Sequence, residues 1–203
     1  MSPKFLRLAC ILRLPILVLA GLALAYGIWA AIIDSTGPNR LIVPLAVDQP
    51  GRATLDYDRG AGLRPEDSVS RDVAASTDVE EVVFPVPRVA LREIRFHPFA
   101  GAGGFTIGQP RLESASGRFI AKFPIMAIVA RKEIASMNLE EKQWVGTTVT
   151  GATDPQLTFA LGAPLRVGEP RIPWIEAVVL TVLALAAWRL KPRASANPGK
   201  TDA

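Results

Sequence analysis

Leu41-Ile42-Val43-Pro44-Leu45-Ala46-Val47, the turn Gln49-Pro50-Gly51 and then Ala53-Thr54-Leu55-Asp56-Tyr57 decide the fold. The first run is short, apolar and bounded by turn residues. The second alternates, with Ala53, Leu55 and Tyr57 on one face and Thr54, Asp56 and Asp58 on the other. Working outward, the same grammar recurs at Glu80–Phe84, Val89–Phe96, Gly104–Ile107, Arg118–Phe123, Ile125–Ala130, Trp144–Val149 and Gln156–Leu161. Arg59-Gly60-Ala61-Gly62, Ala100–Gly104, Gly108-Gln109-Pro110 and Asp154-Pro155 punctuate these runs. Many short strands at this spacing predict an all-β domain, a β-sandwich, over residues 34–171. Asn138–Gln143, with Leu139-Glu140-Glu141-Lys142, reads as the exception, a short helix or helical turn.

The flanks are of another kind. Leu14 to Ile33 is 20 residues without a charge, about 30 Å as a helix, which matches a bilayer core. Pro15 suits its first turn, and Tyr26 and Trp29 suit an interface belt. A signal-peptidase site at Ala23-Leu24-Ala25 is the competing reading, and the apolar run continues past it. Leu8-Ala9-Cys10 precedes the apolar core instead of following it, which argues against a lipoprotein box. A second candidate span covers 172–190, opened by Pro173 and bracketed by Trp174 and Trp188, with Glu176 in its first turn, where an acid is least costly. The expected order is therefore a basic cytoplasmic stretch 1–13, a transmembrane helix 14–33, the domain 34–171, a second helix 172–190 and a disordered cytoplasmic tail 191–203. Ala23, Gly27 and Ala31 repeat every four residues and would let another helix approach closely.

Charge sets the orientation. Lys4, Arg7 and Arg13 precede the first helix, and Arg189, Lys191 and Arg193 follow the second. Basic residues prefer the cytoplasmic side, so both termini are expected inside and the domain in the periplasm of a bacterial inner-membrane protein. The domain itself is balanced, 16 Lys/Arg against 17 Asp/Glu. It lacks the basic face that a nucleic-acid partner requires.

Val89-Ala-Leu-Arg-Glu-Ile-Arg-Phe-His-Pro98, a Gly-rich turn, and Phe105-Thr-Ile-Gly-Gln-Pro-Arg-Leu112 are similar to jelly-roll, galactose-binding-type domains of bacterial envelope proteins. Asp154-Pro155-Gln156-Leu157 fits the same pattern, which spans residues 40–165. Such domains lie between the first two membrane helices of multi-pass glycosyltransferases and polysaccharide-assembly proteins. The resemblance implies a jelly-roll-like sandwich and a setting in envelope polysaccharide or glycoconjugate assembly. This chain departs from it in carrying His97 where the pattern has an acid, and it is expected to lack the multi-pass catalytic body.

The candidate site residues are few. One cysteine, Cys10, and one histidine, His97, exclude a disulfide pair within the chain and His-pair metal sites. Asp56 and Asp58 share a strand face and are the weak candidates for a calcium site. Otherwise neither a metal nor a cofactor is expected. Glu80-Glu81 and Glu140-Glu141 are neighbours on a strand or turn and point apart, unlike a glycosidase pair. No Ser in the domain carries a Gly-x-Ser-x-Gly context, and no Gly-Lys-Ser/Thr follows the Gly-rich stretch Ala100–Gly104. Trp144 and Tyr57 are the rings suited to stack on a sugar while keeping a polar edge wet. The expectation is a membrane-anchored, non-catalytic binding or scaffold module, with glycan as a possible ligand. The alternative is an accessory subunit that binds a membrane protein through its sandwich and its helices.

Overall fold

The computed structural model describes residues 3–161 and 165–166, with side chains for residues 18–161. The second expected span, Glu176 and the tail lie outside these residues. The chain divides into two compact units, and the one spanning Ile33–Pro170 holds the β-rich domain.

Helix α1 covers Pro3–Thr36. It begins well before residue 14, so Pro15 lies inside it instead of in its first turn. A proline there removes one helical N–H without forbidding the helix, because Leu and Ala on both sides favour it. Within α1, Val18–Thr36 is long and apolar enough to cross a membrane.

The domain is all-β, as the alternation of its strands requires. In chain order its strands are β1 (Asn39–Val47), β2 (Gly51–Asp58), β3 (Ser68–Val73), β4 (Glu80–Val86), β5 (Ala90–Leu91), β6 (Glu93–His97), β7 (Gly104–Ile107), β8 (Arg111–Glu113), β9 (Phe119–Lys122), β10 (Ile128–Lys132), β11 (Ile134–Glu140), β12 (Gln143–Thr148), β13 (Gln156–Phe159) and β14 (Leu165–Arg166). Single 3-10 turns precede β3 and β10. The first sheet runs β11-β12-β7-β1-β8-β9, with β4 also paired to β1. The second runs β10-β13-β6-β2-β3, and β14 pairs with β5 separately. β1 has β4 along one edge and β7 followed by β8 along the other. At one margin the sheets approach through β3 and β4, where Arg71 Nε donates to the Val83 carbonyl at 3.0 Å.

The inward faces form one core. Leu41, Val43, Leu45 and Val47 of β1 meet Leu55, Phe96, Leu157 and Phe159 of the second sheet. Phe84 and Phe96 pack edge to face with ring centres 5.9 Å apart, and Phe123 and Phe159 at 5.8 Å continue the aromatic layer. Each such ring adds buried apolar area and a favourable quadrupole contact. Ile42 and Ala46, on the outer face of β1, are buried as well, which explains why Leu41–Val47 reads as a continuous apolar run.

Three expectations are corrected. Leu139 and Glu140 belong to β11, and Glu141 and Lys142 form a two-residue hairpin turn with φ of 46° and 71°. Positive φ at both positions gives a type I′ turn, whose twist matches the strands it joins. The segment is thus strand and turn, not helix. Val89–Phe96 divides into β5 and β6 around Arg92, whose N–H donates to the Asp58 carbonyl. Ile125–Ala130 opens with a 3-10 turn, and only its second half is strand.

Candidate functional site

The domain carries a groove of about 730 Å³ on the outer side of β1, β7 and β12, walled by residues 75–77. Its floor is made of small side chains, Ala46, Thr106 and Val145, which stand side by side across the three strands. The wall is fixed by the Ser76 N–H, which donates to the Val47 carbonyl at 2.9 Å. The rim is built by Asp48 and the glycine loop. Asp48 Oδ2 accepts the Gly104 N–H at 2.7 Å, and Thr148 Oγ1 accepts the Gly103 N–H at 2.8 Å. A Cβ at Gly103 would run into the Asp48 carboxylate, so any side chain there would push that carboxylate off its bond to Gly104. The groove offers shape and hydroxyl groups. Its one carboxylate, Asp48, is already engaged by the backbone, and no imidazole, thiol or ammonium lines it.

The second sheet presents a charged constellation on its outer face. His97 ends β6 and lies directly opposite Thr54 of β2, which puts its ring between neighbouring acids. His97 Nε2 lies 2.9 Å from Asp56 Oδ2, and Nδ1 lies 2.7 Å from Asp154 Oδ1. Asp154 Oδ2 also receives Lys132 Nζ at 3.0 Å and the Gln156 amide. Glu133 shapes the approach by accepting the Thr153 and Asp154 N–H groups at 2.8 and 2.7 Å. Burial works against a charged imidazole, yet the hydrogen bonds and charges of Asp56 and Asp154 outweigh it and raise the His97 pKa. Burial likewise opposes ionisation of both acids, and their bonds to His97, with Ser68 for Asp56 and Lys132 for Asp154, hold them below the usual carboxylate range. The charged form of His97 is thus favoured, and as an imidazolium it would donate from both nitrogens. In that state it has no lone pair for a metal or for a substrate proton.

The first sheet carries a counterpart. Arg111 of β8 donates Nη1 and Nη2 to the two oxygens of Glu81 on β4, both at 2.7 Å, and Nε to Glu113 at 2.8 Å. Glu81 and Arg111 flank Pro44 and Ile42 of β1, so the bidentate pair spans the outer face of that strand. This covering is what buries Ile42.

Sequence reasoning placed the remaining candidates with mixed success. Asp56 and Asp58 do share a face, as alternation requires, but they serve separate ends. Asp56 holds His97, while Asp58 Oδ1 accepts the Gly60 and Gly62 N–H groups at 2.6 and 2.8 Å and closes the loop after β2. No cluster of three or more His, Cys, Asp or Glu side chains suited to a metal ion occurs among the described residues. Tyr57 is 8% exposed and belongs to the core, since alternation that puts Asp56 outside puts Tyr57 inside. Burial and the nearby Asp67 charge raise its hydroxyl pKa, against Arg59. Its ring face is thus not available to a sugar. Trp144 is half-buried and packs against the core; Val145 and Thr147, not Trp144, face the groove. The Trp144 indole N–H is taken by the Ile125 carbonyl at 2.7 Å. On α1, Ala23 is exposed and Gly27 and Ala31 half-exposed, and a Cβ at Gly27 would meet nothing within 4 Å.

No family model matches the chain, and neither a curated protein nor a solved structure matches it.

Proposed function

We propose that this is a membrane-anchored envelope protein whose β domain binds a partner without catalysing a reaction. The observation that carries the reading is the use to which the domain's polar chemistry is put. Its single imidazole is held by two carboxylates, the Arg111 guanidinium by two more, and the groove floor is made of small and hydroxyl side chains. Such an arrangement supports recognition by shape. Helix α1 supplies the anchor. The placement of Lys4, Arg7 and Arg13, with Arg189, Lys191 and Arg193, supports both termini inside the cell and the domain outside. The setting in polysaccharide assembly, and the jelly-roll, galactose-binding-type assignment of the sandwich, rest on the sequence resemblance.

Between a glycan and a protein partner, the geometry favours protein. Tyr57 is in the core and the Trp144 N–H is satisfied internally, which removes the two rings best suited to a sugar. Apolar surface is present instead. Leu139 stands opposite Trp144 across the β11–β12 hairpin, and Met126 follows the residue whose carbonyl Trp144 holds. Leu139 is 44% and Met126 66% exposed, a patch of the kind that marks protein contacts. Photo-crosslinkers placed at Leu139 and at Met126 in the full-length protein in its native membrane should capture the same protein, whereas one at Asp72 should not. Glycan-array binding by the detergent-purified full chain, weakened by Trp144→Phe, would favour the glycan reading instead.

A further inference from the structure

We propose that the end of the domain beside residue 34 is itself a bilayer-contacting surface, with Phe119 and Val89 inserted at the headgroup–acyl boundary. This rests on the reading of α1 as a membrane anchor. The apolar run ends at Ile33, and Asp34, the first charged residue after it, is buried in the domain. Asp34 Oδ1 accepts the Ser116 N–H at 2.9 Å, and Asp34 Oδ2 lies 3.3 Å from Arg118 Nη2. Gly37 is packed so closely on Ala115 that a Cβ there would approach to 2.7 Å. The 114–118 loop is thereby fastened to the point where the chain leaves the apolar span, within one arginine side-chain length. Phe119 follows that loop directly. It is 55% exposed, at the start of the marginal strand β9 opposite Glu113, when the domain's other phenylalanines pack inward. Val89, 38% exposed, reaches the same end by a separate route. Val86 pairs with Asn39, the first residue of β1, and Arg88-Val89 follow. An exposed ring and an exposed valine accompanied by Arg88 and Arg118 match the composition of an interfacial contact, where aromatic and apolar side chains enter and arginines remain at headgroup level. Chain continuity fixes the occupant: whatever bilayer receives α1 begins at residue 34.

The test uses spin labels on the full chain reconstituted in phosphatidylethanolamine–phosphatidylglycerol vesicles. A Cys10→Ser background removes the only native cysteine. Phe119→Cys and Val89→Cys report the proposed surface, Ile28→Cys reports the helix, and Gln49→Cys reports the turn after the far end of β1, about 26 Å of strand away. Labels at 119, 89 and 28 should be more accessible to oxygen than to a water-soluble nickel chelate, and the label at 49 the reverse. Lipid accessibility at 28 with aqueous behaviour at 119 and 89 overturns the proposal and leaves the anchor standing. Aqueous behaviour at 28 overturns the anchor, and the proposal with it. Lipid accessibility at 49 as well as 119 overturns the assignment of the contact to this end of the domain.

Discussion

Each main sheet holds a cation between two carboxylates on its outer face, and the two clamps differ in what they do with pH. On the first sheet Arg111 bridges Glu81 and Glu113, and its guanidinium stays charged at every pH at which the protein exists. On the second, His97 bridges Asp56 and Asp154. Both join residues far apart in sequence, and both fix strand neighbours. The histidine clamp alone can open near neutrality. The folded His97 pKa is raised above its ordinary value of 6.5, so its contribution is complete below about 6.5 and is lost as pH rises through the raised value. Asp56 and Asp154 are lowered from 3.8; their contribution is present above about 3.8 and is lost as pH falls through their folded values. The histidine clamp therefore works in a window closed on both sides. The arginine clamp fails only in acid, as Glu81, lowered from 4.5, takes up its proton.

This contrast sets the expected order of effects. Arg111→Ala removes three charge-assisted hydrogen bonds and the cover over Ile42. It should cost about 2–3 kcal/mol of unfolding free energy in denaturant titration, by the same amount at pH 6 and pH 9. His97→Gln comes next, at about 1–2 kcal/mol at pH 6, and its cost should shrink as pH rises through the raised His97 pKa. The pH dependence sharpens the comparison further. Wild-type stability should decline as pH rises through the raised His97 pKa, Arg111→Ala should keep that decline, and His97→Gln should flatten it. A decline that persists in His97→Gln would move its origin to another group. The smallest effect belongs to Arg52→Ala. Both Arg52 and its partner Asp72 are exposed, with a 3.2 Å contact at the sheet margin, and the loss should stay within about 0.5 kcal/mol.

Legibility in the sequence followed how strongly each strand's two faces differ. β1, β2, β7 and β13 were readable because burial stamps them with runs or alternation. β3, Ser68–Val73, lies at a margin with no fully buried residue, so no apolar pattern marks it. β11 was hidden for a similar reason, and its turn uses Glu141-Lys142, where Asn-Gly would have announced a hairpin. The clamps were invisible because pairing is long-range. Asp56 lies 41 residues before His97 and Asp154 lies 57 after it. Only the register of β2, β6 and β13 brings them together. Alternation puts Tyr57 on the inner face, although its polar edge also reads as that of a surface ring. The same pattern that put Asp56 and Asp58 outside already assigned Tyr57 to the core.

The proposed arrangement, a β domain held outside the cytoplasm by an apolar N-terminal helix, is tested most directly by thiol labelling of spheroplasts. In the Cys10→Ser background, Lys142→Cys places a thiol at the exposed tip of the β11–β12 hairpin. A membrane-impermeant maleimide added to spheroplasts should label it without permeabilisation, and the protein should remain in the membrane pellet after alkaline carbonate extraction. Labelling only after lysis, or release into the carbonate supernatant, would contradict the account.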